Sequence, residues 1–202
     1  NSNDTGGLVY ALANDPNHDV LEMDFDNGVK LPANSIGIFS GFHKLNKFEG
    51  QKLDTSHAVN MSHLFTDDWS LPNVNSVKNW DTSHVTNLSG AFNMITPYTQ
   101  MPALMSLKGL SDWNVQNVTN LSGIFANQRL LKDISALSNW FQKNNHLRNI
   151  SGAFYDIRLL TDVSALSNWH VNRVSNLSNL FKSDVGFNIS IGGLKDWSSV
   201  YN

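Results

Sequence analysis

The sequence predicts an α+β solenoid of short strands and helical turns, with a small N-terminal β cap. Three observations predict it. A short pattern running from Trp to Phe recurs five times, the Phe residues that close it are almost evenly spaced, and the first 35 residues lack the pattern.

Residues 1–35 read as the cap. Leu8–Ala13, Val20–Phe25 and Val29–Leu31 alternate apolar and polar residues as strands do. Asn27-Gly28 is a two-residue hairpin signal and Asp15-Pro16-Asn17 marks a second turn. A hairpin or meander at this end would cover the apolar face of the first repeat.

Residues 36–202 read as about six repeats of about 27 residues, broken off at the C-terminus. The copies are LDTSHAVNMSHLF from Leu53, WDTSHVTNLSGAF from Trp80, WNVQNVTNLSGIF from Trp113, WFQKNNHLRNISGAF from Trp140 and WHVNRVSNLSNLF from Trp169. Trp197 opens another, and Ser35–Phe39 resembles the tail of an earlier one. Spacings of 26, 27, 33, 29 and 27 residues between Phe39, Phe65, Phe92, Phe125, Phe154 and Phe181 suit stacked repeats better than propeller blades.

One such unit cannot bury its own Leu, Phe and Trp, but neighbours above and below can. The expected core is therefore the Phe and Trp columns, the column Ala58, Val85, Val118, Leu147 and Val174, and the column Met61, Leu88, Leu121, Ile150 and Leu177. Asn60, Asn87, Asn120, Asn149 and Asn176 are expected to face inward, with amides bonding the adjacent repeat and satisfying turn groups. V-x-N-L reads as a strand, S-G-x-F as a helical turn and L-x-D-[IV]-S as a second strand.

Composition narrows the function classes. Charged residues are 15% of the chain, the net charge is −3, and no Lys/Arg cluster occurs, which argues against nucleic acid and anionic membrane as partners. No apolar run is long enough for membrane insertion. With no cysteine there is no disulfide scaffold or thiolate metal site. The chain opens at Asn1 without Met, signal peptide or anchor and reads as a piece of something longer.

No nucleophile elbow, H-E-x-x-H pair or phosphate-binding loop occurs, so neither an enzyme nor a cofactor is expected. Asp24-Phe25-Asp26-Asn27-Gly28 lacks the alternate ligands and closing Glu of a calcium loop, and no metal is expected there. The column Asn79, Asp112, Asn139, Asn168 and Asp196 before each Trp reads as turn capping rather than calcium binding. The five repeat sequons, beginning at Asn60, read as structural rather than as glycan acceptors.

Two sets of contact candidates remain. His57 and His84 are equivalent in adjacent repeats, His146 lies close to their column, and His63 is nearby. Charging all seven histidines takes the net charge from −3 to +4, by −3 + 7. Acidification, which crosses neutrality near the isoelectric point of about 6.1, should then remove self-repulsion and promote association; scattered, solvated histidines are the alternative. Trp69, Tyr98 and Phe141 lie off the repeat register and are candidate exposed anchors, against local packing under loops.

WDTSHVTNLSGAF, LDTSHAVNMSHLF and the lead-in LPANSIGIFSGFHKLNKFEGQKLDTS resemble the repeat region of BspA-like leucine-rich-repeat surface proteins, also called the lactobacillus surface-protein repeat family. The resemblance covers about residues 31–202. It implies a right-handed leucine-rich-repeat-type solenoid in an extracellular protein of Gram-positive bacteria, cell-wall anchored through regions outside this segment and used in adhesion. Departures are the absent Cys after the Phe, the long segment Asn93–Met105 and the fourth copy's Phe141–Asn145. The expected partner is the same protein on neighbouring cells, giving auto-aggregation and biofilm. The alternative is a host matrix protein, mucin or glycan.

Overall fold

A computed structural model of the chain describes residues 19–95, 104–142, 145–183, 194 and 197. Two strands are present among them, β1 (Glu22–Asp24) and β2 (Lys47–Glu49), which pair in parallel with Met23 opposite Phe48. Single 3-10 turns follow at Gly50–Lys52, Asn75–Val77, Lys108–Leu110, Ser135–Leu137 and Ser164–Leu166. The other described residues are turns, isolated bridges and stretches without regular structure.

This corrects the expected fold class. No leucine-rich-repeat-type solenoid of strands and helical turns forms, and the described chain is mostly irregular. The reasons are local. The V-x-N-L segment makes only one bridge per repeat, because each column Asn turns its side chain onto its own backbone: Oδ1 of Asn60, Asn87, Asn120, Asn149 and Asn176 accepts the N–H two residues on, at 3.0–3.1 Å. That Asx turn competes with a strand. These asparagines are half-buried, with Asn176 exposed, rather than interior. Three residues past each of the first four, the backbone is left-handed at His63, Gly90, Gly123 and Gly152, with Asn179 after Asn176, at φ between 56° and 62°. A positive φ stops both strand and helix, so S-G-x-F cannot become a helical turn. In the expected second strand, the Asp133 and Asp162 carboxylates accept the Ser135 and Ser164 N–H and start 3-10 turns instead.

The N-terminal hairpin is not what Val20–Phe25 forms. Asn27-Gly28 does turn, with Gly28 at φ 87°, but it leads Lys30 to a parallel bridge with Asp54. Parallel pairing lets Phe25 pack against Phe39 and Phe48 at 5.7 and 5.5 Å, contacts that lie outside a local hairpin. Leu8–Ala13 and Asp15-Pro16-Asn17 lie outside the described residues.

Irregular backbone still stacks in register. Parallel bridges join Asn34 to Asn60, Asn60 to Asn87, Asn87 to Asn120, Asn120 to Asn149 and Asn149 to Asn176. Phe39, Phe65, Phe92, Phe125, Phe154 and Phe181 stack ring on ring at 5.3–5.8 Å. Trp80, Trp113, Trp140, Trp169 and Trp197 do so at 6.1–6.5 Å. Offset aromatic pairs contribute about 0.5–1.5 kcal/mol each beyond their burial, so the two columns add to the backbone bonds that join neighbouring repeats, such as Leu88 N–H to the Asn120 carbonyl and Phe92 N–H to the Ile124 carbonyl.

Candidate functional site

The surface worth reading as a site is the edge that the repeat's D-T-S-H and V-x-N segments build. Ser56 Oγ donates to Asp54 Oδ1 at 2.6 Å and lies 3.0 Å from His57 Nδ1. Ser83 repeats this between Asp81, at 2.6 Å, and His84, at 3.2 Å. The serine proton thus points at the carboxylate, so these groups hold an imidazole beside an anion rather than activate a nucleophile. Hydrogen bonds from the Ser56 hydroxyl and backbone N–H hold the Asp54 carboxyl below the usual carboxylate range, and Ser83 does the same for Asp81.

The edge continues through the next repeats. Asn117 Nδ2 donates to the Ser83 carbonyl at 2.7 Å, and His146 Nδ1 lies 3.0 Å from the Gln116 carbonyl, which also accepts the His146 N–H. Arg173 holds the same position one repeat later, before the apolar column residue Val174. His57, His84, Asn117, His146 and Arg173 are all exposed. Beside them runs the column Val59, Thr86, Thr119, Arg148 and Ser175, in which each N–H bonds the carbonyl of the column residue one repeat back, at 2.8–2.9 Å. His63 stands apart. It occupies the left-handed position that glycine holds in the next three repeats, its Nδ1 is 3.2 Å from Thr66 Oγ1, and its ring covers Gly90.

The aromatic candidates separate. Phe141 is not an exposed anchor: it is 1% exposed, packed edge-on against Trp169 at 4.9 Å and Trp140 at 6.0 Å. The reason is its backbone, since φ of 47° swings the side chain inward. Trp69 is half-exposed and stacks flat on His43 at 3.9 Å, a partner not read from the sequence because the two are 26 residues apart. Tyr98 lies outside the described residues.

Two clefts open on the described surface. One, about 540 Å³, is lined by Gln116, Gln142, Asn168, His170 and Asn172 beside the histidine edge. The other, about 490 Å³, is lined by Asn46, Glu49, Asn73, Asn75 and Lys78. Among the described residues, no three His, Asp or Glu side chains group as metal ligands. Arg148 and the Asp54–Ser56 and Asp81–Ser83 pairs were missed as site residues. The repeated D-T-S-H string was the available signal for the two pairs; Arg148 replaces Thr119 without any motif.

No curated protein and no solved structure gives a significant match to this chain. One family profile matches twice in overlapping windows, over residues 34–156 and 94–202, as repeats in register would produce. The chain belongs to that family, described as Mycoplasma protein of unknown function, DUF285.

Proposed function

We propose that this chain is the adhesive segment of a bacterial surface protein and acts by homotypic contact between copies on neighbouring cells. The observation that carries the reading is the exposed edge itself. It presents side chains at one spacing over five repeats, rich in amide, hydroxyl and imidazole and poor in net charge. Such a face forms many weak, equivalent contacts, which multiply when many copies face one another. The family match is consistent with a surface repeat protein. The resemblance to BspA-like proteins supports the extracellular, cell-wall-anchored setting, now without the leucine-rich-repeat architecture. The reading needs no catalytic step.

The net charge of −3 at pH 7 approaches zero near the isoelectric point of about 6.1, which lowers repulsion between copies and favours association on acidification. Sedimentation velocity at several concentrations, at pH 7.5 and pH 6.0, tests both parts. Reversible association that strengthens at pH 6.0 is expected. A monomer at both values sinks the homotypic reading, and association no stronger at pH 6.0 sinks the net-charge effect.

One observation favours a second reading, a host glycan or glycoprotein ligand: the flat His43–Trp69 pair beside Ser70, whose hydroxyl donates to the His43 carbonyl at 2.7 Å. Stacked rings on an exposed turn suit the apolar face of a sugar. Binding to a mucin-coated surface that survives Trp69→Ala would exclude this pair as the contact.

A further inference from the structure

The charged groups on the histidine edge are sorted along the stack. Its N-terminal repeats carry the carboxylates Asp54 and Asp81, while its later repeats carry the guanidinium groups Arg148 and Arg173. The repeat between them is neutral here, with Asn114, Gln116, Asn117 and Thr119. Asp81 is exposed and, among the described residues, joins no ion pair. Asp54 has Lys30 at 3.7 Å, an exposed and solvent-screened contact. The Arg148 guanidinium donates only to the carbonyls of His146 and Leu147 among the described residues, and the Arg173 guanidinium has no partner among them.

We propose that this edge pairs with a second copy of itself in antiparallel orientation, the acidic end of each copy facing the basic end of the other. The proposal rests on the homotypic reading and adds its geometry. A two-fold axis through the neutral repeat of Asn117 and Thr119 sets the repeat of Asp54 opposite that of Arg173, and the repeat of Asp81 opposite that of Arg148. Each match then occurs twice, as an isologous interface requires. Parallel pairing sets like charge on like charge, which excludes that register. The bridges that join equivalent residues from Asn34 to Asn176 keep the edge in register, so opposed charges meet at successive repeats.

Size fixes the strength. Four inter-repeat steps at ~4.8 Å give an edge ~19 Å long. A contact of that length falls at the small end of specific interfaces, where encounters are weak and transient. A weak contact multiplied over a cell surface gives reversible aggregation.

The test is a charge exchange at pH 7.5, read as dissociation constants by sedimentation velocity, with thermal unfolding confirming that each variant folds. All four positions are exposed or half-exposed, and Arg148→Gln with Arg173→Gln serves as a milder second variant. The Asp54→Lys, Asp81→Lys chain should lose at least tenfold in self-affinity. So should the Arg148→Glu, Arg173→Glu chain. An equimolar mixture of the two should recover to within about threefold of wild type, because every facing pair is again opposite in sign. If wild type associates while the exchanged chains keep its affinity, or the mixture fails to recover, the antiparallel pairing is wrong and homotypic contact survives. If wild type stays monomeric at every concentration, the homotypic reading falls and takes this proposal with it.

Discussion

Trp113 donates its indole N–H to the carbonyl of Val77, one repeat back, at 3.0 Å. The same bond joins Trp80 to Gly50, Trp140 to Leu110, Trp169 to Leu137 and Trp197 to Leu166, at 2.8–3.2 Å. Each accepting carbonyl belongs to the 3-10 turn of the preceding repeat, so the Trp column ties the repeats together with polar as well as apolar contacts.

Replacing Trp140 separates the two contributions. Trp140→Phe keeps much of the stacking but removes the shorter of two hydrogen bonds to the buried Leu110 carbonyl, which keeps only the Trp113 N–H at 3.3 Å, at about 0.5–1.5 kcal/mol. Trp140→Ala also opens a cavity and should cost about 3–5 kcal/mol. Urea unfolding measures both; a Phe variant as stable as wild type means the N–H bond contributes nothing net.

Gly109 lies where two repeats touch. A Cβ added there would stand 1.9 Å from the Val74 carbonyl oxygen, which is backbone and cannot rotate away. Gly109→Ala should therefore force the third 3-10 turn, Lys108–Leu110, off its neighbour and cost about 1–3 kcal/mol. An unchanged melting temperature would show that the turn shifts freely.

Asp68 sets the neutral side of the stability profile. It is 2% exposed; Oδ1 accepts the Phe42 N–H at 2.8 Å, and Oδ2 has no partner among the described residues. Burial raises its pKa well above the carboxylate range, more than the Phe42 N–H lowers it, and the neighbouring Asp67 adds to the rise. An acid raised in the fold gives full stability below its unfolded pKa of about 3.9 and loses it as pH climbs toward the folded value. Wild type should thus be less stable at pH 7 than near pH 4.5. Asp68→Asn should flatten that decline, and thermal melts across this range that are identical for both chains would refute the assignment.

Asp156 sets the acid side with the opposite sign. Burial pushes its carboxyl up, but hydrogen bonds from Arg158 and Arg129, with Ser183, outweigh burial and hold it below the usual range. Its contribution is present above about pH 3.9 and is lost as pH falls below that. Asp156→Ala should cost about 1–3 kcal/mol at pH 7, less than a fully buried pair because both arginines are partly exposed. The difference from wild type, read from urea titrations, should shrink at pH 3.

Equivalence between repeats is written in the amino-acid order alone. Recurrent burial demands recurrent apolar side chains, so the Phe and Trp columns and the column from Ala58 to Val174 were legible from period. The His57–His84 equivalence was legible for the same reason. The backbone that joins those columns emerged only in the folded chain. Apolar period does not report the sign of φ at His63 or Phe141, nor whether the Asn60 amide bonds across repeats or back onto Ser62. Those choices turned expected strands and helical turns into Asx turns, single bridges and 3-10 turns, and buried Phe141. The opposition of Asp54 and Asp81 to Arg148 and Arg173 likewise needed the stack, because charges far apart in sequence share an edge only once the repeats lie in register.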